Sequence, residues 1–157
     1  MGERDGLTSY QKSRRPGAWR PVEELDVYLR ASEISDQIYL LVRDWNVLAL
    51  RTVGEQLVRS TDSIVANLVE GDSAGTPKDS SRFFRYARNS GREARHWLRR
   101  CHRRELISQG QFETLLSELT QVVRMVNGLL RHRTQLIVRE QSSAGPDPFI
   151  EDDGDAL

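Results

Sequence analysis

RFFRYARNSGREARHWLRRCHRR, residues 82–104, holds nine arginines, no lysine and one acid, Glu93. On a helical wheel at about 100° per residue the stretch separates into two faces. Phe83, Tyr86, Ala87, Ser90, Gly91, Ala94, Trp97, Leu98 and Cys101 fall on one side, and Arg82, Arg85, Arg88, Arg92, Arg95, Arg99 and Arg103 on the other. This is the pattern of an amphipathic helix with a basic stripe about 30 Å long at 1.5 Å per residue. Ala87, Ser90, Gly91 and Ala94 are small enough to let a neighbouring helix approach closely, with Phe83 and Trp97 filling the ends of the apolar face.

Working outward, the helix has a clear start. Thr76-Pro77-Lys78-Asp79 supplies an N-cap threonine, a proline at the first helical position and an acid facing the positive end of the helix dipole. Downstream, Ser108 and Gln111 form the pattern of a capping box, and apolar residues from Phe112 to Leu130 continue at helical spacing to about Val138. Upstream, Leu50, Val53, Leu57, Ile64 and Leu68 mark another helix, with Gly71 as its expected C′ residue. Leu25, Leu29, Ile34, Ile38, Leu41 and Trp45 mark the first, over about residues 23–45. No sustained alternation or Asn-Gly hairpin is present. Four helices with short connections predict an all-α, antiparallel up-down-up-down four-helix bundle over residues 22–140. A basic arm (residues 1–21) and an acidic tail (residues 141–157), both expected to be disordered, flank it.

The formal net charge of zero conceals a segregation. Residues 78–104 carry ten bases against Asp79 and Glu93, whereas residues 141–157 carry five acids and no base. No apolar run is long enough for a membrane span, and the N-terminus lacks the apolar segment of a secretory signal. The single cysteine, Cys101, excludes a disulfide framework, so the expected compartment is a reducing cytoplasm.

The chain offers little chemistry. His96, His102 and His132 make no metal-ligand spacing with Cys101, and no phosphate-binding glycine loop or nucleophile motif occurs. Glu70 and Glu93 are inner-face candidates, yet Glu93-Ala94-Arg95-His96 falls on the basic side of its helix and has no counterpart on another. The expectation is a protein without metal, cofactor or catalytic activity. Asn67, on the apolar side of the second helix, reads as a partly buried polar cross-link.

Three readings of the arginine stripe stand side by side. A solvated face explains its polarity but not its single sign, because like charges three or four residues apart repel. Acids of another subunit, or of the chain's own tail, could meet it. So could phosphates, which guanidinium binds bidentately.

LDVYLRASEISDQIYLLVRDW (25–45), QLVRSTDSIVANLVEGDSAGTPKDSSRFFRYARNS (56–90) and RMVNGLLR (124–131) resemble a bacterial four-helix bundle family. Its founding members are encoded in intervening sequences of large-subunit ribosomal RNA genes. The resemblance covers about residues 24–134, and Ser63, Ile64, Asn67, Glu70 and Gly71 match its most specific motif, joined by Ser90 and Glu93 in the third helix. It implies a left-handed antiparallel bundle assembling as a homopentamer, without enzymatic activity. It also brings in a relative, the accessory variability protein of diversity-generating retroelements, whose basic surface binds a reverse transcriptase and nucleic acid. The arginine-rich third helix, with its Arg-His-Trp-Leu-Arg run at 95–99, is more similar to that branch.

The expected function is therefore a non-catalytic, homo-oligomeric accessory protein. It would bind RNA or DNA through Arg82, Arg85, Arg88, Arg92, Arg95, Arg99 and Arg103, beside a reverse transcriptase. The alternative is a protein-interaction scaffold whose stripe meets acidic surfaces.

Overall fold

The computed structural model describes residues 21–143, and the predicted arm and tail lie almost wholly outside them. Within that range the chain is helical, with no strand. A 3-10 turn, Val22–Glu24, leads into α1 (Asp26–Val42). Asn46 then caps a short helical turn, Val47–Ala49, by accepting from the Ala49 amide at 3.0 Å. A π-helical segment, Leu50–Gly54, continues into α2 (Glu55–Ser73). The two long helices that follow are α3 (Pro77–Arg103) and α4 (Gln109–Ser143).

The predicted starts of α3 and α4 have their capping bonds. The Thr76 hydroxyl accepts from the Asp79 amide at 3.1 Å and donates to the Asp79 carboxylate at 2.8 Å. Ser108 Oγ accepts from the Gln111 amide at 3.2 Å, and Gln111 Oε1 accepts from the Ser108 amide at 2.9 Å, a reciprocal capping box. α3 ends in a Schellman turn. The Leu106 amide donates to Cys101 O and the Glu105 amide to His102 O, and Glu105 has a φ of 58°.

α3 packs between α2 and α4, and α1 packs against the same two helices. The buried positions of α3 include Ser80, Phe84, Ala87, Gly91, Ala94, Leu98 and Cys101, spaced alternately four and three apart. That spacing keeps a seam facing the partner helices along the length of α3. At its middle, a Cβ added to Gly91 would lie 2.6 Å from Val123 of α4 and 3.6 Å from Ile64 of α2, so glycine lets the three helices close up.

Three expectations are corrected here. Gly71 does not end α2, which runs on to Ser73; Gly71 is buried inside the helix because the ring of Phe84 occupies the space its side chain would need. The inner face of α3 is rotated from the one predicted. Phe84 is 2% exposed and belongs to the core, while Phe83 is only half-buried and Tyr86 is 49% exposed. α4 also runs to Ser143, beyond the Val138 expected.

Candidate nucleic-acid interface

The rotation of α3 changes what the arginine stripe looks like. With the seam centred on Ala87, Gly91, Ala94 and Leu98, Arg88 and Arg95 stand at the border of the core and are half-buried. Arg85, Arg92, Arg99 and Arg103 are exposed. The stripe is thus not wholly the outward ridge predicted, because Arg88 and Arg95 are drawn in beside the core. Its Arg88, Arg92 and Arg95 lie along the flank of α3 that faces α4, while Arg82, Arg85, Arg99 and Arg103 do not line that flank. Arginine tolerates this border position because its methylene stem packs on apolar surface while the guanidinium reaches outward.

Between the two helices the flank opens into a groove of about 560 Å³. Arg88, Arg92 and Arg95 line it from α3, and Thr120, Val123, Arg124 and Asn127 from α4. It continues past Arg88 and Asn127 into a second basin of about 480 Å³ with Leu130, Arg131, Thr134 and Gln135. No acid lines either basin. Arg95 Nη1 donates to Thr120 Oγ1 at 3.4 Å, and Arg99 Nη1 donates to the Arg95 carbonyl at 3.2 Å. Arg88 Nε and Arg95 Nε are buried and without a hydrogen-bond partner. The Arg95 guanidinium is pulled below the ordinary arginine range, first by burial and then by the like charges of Arg99 and Arg92. It stays protonated, because arginine does so throughout the physiological range.

Arg82 stands apart from the other six. It pairs with Asp79 at 3.9 Å, and its guanidinium lies 5.2 Å from the ring centroid of Phe83.

The motif residues gather on the opposite flank of α3, toward α2. The hydroxyls of Ser63 and Ser90 are 3.0 Å apart and join the two helices. Asn67 Nδ2 donates to Ser63 O at 2.7 Å and to Ser63 Oγ at 3.1 Å. Asn67 is half-buried, as expected, but both of its bonds go to Ser63 in the preceding turn of its own helix, so it does not itself cross-link to another element. Glu70 and Glu93 are exposed, not inward-facing, and Glu93 accepts from Trp97 Nε1 at 3.2 Å. Among the described residues no cluster of three or more His, Cys, Asp or Glu can hold a metal ion, and no helix is long and apolar enough to cross a membrane.

Sequence reasoning missed the α4 half of the groove. Arg124 and Arg131, like Thr120, Asn127 and Thr134, recur seven residues apart and so share one face of α4. Arg88 and Arg95 have the same spacing on α3. That shared period was the available signal.

The family model of the 23S rRNA-intervening sequence protein matches residues 23–128, the greater part of the chain, including all of α3 and the first part of α4. The protein belongs to the 23S rRNA-intervening sequence protein family. The resemblance carried by Ser63, Ile64, Asn67, Glu70 and Gly71 thus holds. The fold is also similar to the crystal structure of a protein of unknown function from the S23 ribosomal protein family of Bacteroides thetaiotaomicron. The TM-score is 0.60 at 22% identity, over 66% of this chain and 97% of that one. No curated protein matches. Family membership accounts for the helical bundle.

Proposed function

We propose that this protein is a non-catalytic, self-associating RNA-binding protein whose contact surface is the arginine flank of α3. The observation that carries the reading is the uncompensated charge. Of the seven arginines in the stripe, only Arg82 has an ion pair within the described residues. A face built merely for solvation mixes signs; one that meets a polyanion does not. The family's association with ribosomal RNA genes supports RNA over DNA as the first ligand to try.

The bundle is read as an antiparallel up-down-up-down arrangement that assembles as a homopentamer. Support for self-association comes from apolar side chains exposed at α1 and the start of the second helical segment, namely Leu29, Tyr39, Leu40, Val47 and Leu48. Repetition of the arginine flank around an oligomer would raise affinity through avidity. A reverse transcriptase is the protein partner proposed, on the strength of the Arg-His-Trp-Leu-Arg resemblance.

The test is a titration of fluorescent structured RNA and single-stranded DNA at two salt concentrations. Binding that weakens steeply with salt is expected, and the triple change Arg85→Glu, Arg92→Glu and Arg99→Glu should abolish it with helix content unchanged by circular dichroism. Absent or salt-insensitive binding to both nucleic acids would sink the reading. Were the same triple change instead to break the oligomer, the stripe would be a subunit contact.

A further inference from the structure

We propose that the groove between α3 and α4, rather than the exposed outer row of α3, is where phosphate groups are seated, with Arg88 of α3 and Arg124 and Arg131 of α4 as principal ligands. This deepens the RNA-binding reading and rests on it for the source of the phosphate. Three observations on different atoms converge on the groove.

The first is charge. Arg88, Arg92, Arg95 and Arg124 border one basin of about 560 Å³ that no acid lines, so an anion is the occupant whose charge complements it. The second is unmet hydrogen-bonding capacity. Arg88, Arg92 and Arg124 make no hydrogen bond or ion pair within the described residues, and the buried Nε–H groups of Arg88 and Arg95 lack acceptors. A buried donor without an acceptor is costly, and a multi-oxygen anion answers several donors at once. The third is repetition. Thr120, Asn127 and Thr134 recur one heptad apart along α4, as do Arg124 and Arg131, so the two basins offer the same kinds of donor. At 1.5 Å per residue the two sets lie about 10 Å apart. A row of like seats suits a ligand that is itself a row of phosphates.

The outer residues Arg85 and Arg103 are then auxiliary. They are exposed and free to adjust, and they add long-range attraction more than fixed contacts.

The experiment measures fluorescence anisotropy of a labelled single-stranded RNA and calorimetric binding of inorganic pyrophosphate, each on the full chain. Four proteins are compared: the unaltered chain, the groove double variant Arg88→Gln/Arg124→Gln, the outer double variant Arg85→Gln/Arg103→Gln, and Arg59→Gln on α2 as a control. The groove double variant is expected to weaken RNA binding at least about tenfold and to lower the salt slope by about 2, one unit for each phosphate that is no longer neutralised. The outer double variant should lose distinctly less, and Arg59→Gln less than about twofold. A loss in the outer variant equal to or larger than that in the groove variant would overturn the proposal. So would a change in molar mass of the groove variant by light scattering, because the groove would then be a subunit contact. If the unaltered chain binds pyrophosphate but no RNA, and the groove variant loses the pyrophosphate, the phosphate seat stands and the RNA-binding reading falls. If it binds neither, both fall.

Discussion

Gly71 of α2 lies under the ring of Phe84 of α3, so near that an added Cβ would sit 2.6 Å from Cδ1 and closer still to Cε1. The ring cannot swing away, because Phe84 is fully enclosed by the core. Gly71 is also fixed through its carbonyl, which accepts from the Ser80 hydroxyl at 2.5 Å. Gly71→Ala is therefore expected to destabilise the protein by about 1–2 kcal/mol, as overpacking outweighs the roughly 1 kcal/mol that alanine gains over glycine in a helix. Gly75→Ala, with nothing within 4 Å of the new methyl, should change stability little. Urea unfolding midpoints decide between the two.

Adjacent phenylalanines in α3 divide the labour. Phe84 is at the seam, whereas Phe83 is half-buried and meets Tyr86 edge-on with ring centroids 6.2 Å apart. Phe84→Ala should cost about 3–5 kcal/mol, the range for deleting a buried aromatic. Phe83→Ala should cost about 1 kcal/mol or less. Equal losses in thermal or urea unfolding would mean that the seam is misplaced.

This contrast also shows what could be read from the sequence. Helix type and starts were legible because Thr76, Pro77, Ser108 and Gln111 act locally, through bonds three residues long. The rotation of α3 was not. A wheel that sorts residues by polarity places Phe83 and Phe84 on either side of its boundary, and only the partner helices choose between them. Gly71 misled for a related reason. A glycine near a helix end is ordinarily a terminator, but here it makes room for a ring on another helix. The arginine stripe was legible as a stripe, yet Arg88 and Arg95 were indistinguishable from Arg85 and Arg92 until α4 was in place beside them.

Glu105 closes the Schellman turn after α3 in the left-handed region, at φ 58°. A side chain there costs about 1–2 kcal/mol that glycine avoids, partly offset by the greater freedom glycine has when unfolded. Glu105→Gly should thus raise stability by about 0.5–1 kcal/mol, and it also removes an acid from the negative end of the helix. Glu105→Val should lower stability. Opposite shifts in melting temperature are the expected result.

The exposed leucines bear on assembly. Leu48 is 75% exposed beside a groove of about 420 Å³ that Leu106 also lines, and Leu40 of α1 is 53% exposed. Neither contributes to the enclosed core. Leu40→Glu with Leu48→Glu should therefore reduce molar mass in sedimentation equilibrium while leaving the isolated fold intact by circular dichroism. An unchanged mass would count against self-association through these leucines.

Cys101 sits on the α3 seam and is fully buried. Burial pushes its thiol up from 9.0 to about 11, with Arg104 and a backbone hydrogen bond only partly opposing it. The thiolate, not the thiol, is the nucleophile, so alkylation at pH 8 should be slow in the folded protein and fast in urea. The same shift gives a pH window. Below about pH 9 the thiol is neutral in both folded and unfolded chains and contributes no pH dependence. Between about 9 and 11 the unfolded chain loses this proton while the folded chain keeps it, so stability falls as pH rises. Cys101→Ala should flatten that fall between pH 9 and 11 relative to the unaltered chain, although it costs some packing at every pH. Parallel unfolding curves for the two proteins across this range would show that Cys101 does not set the alkaline limit.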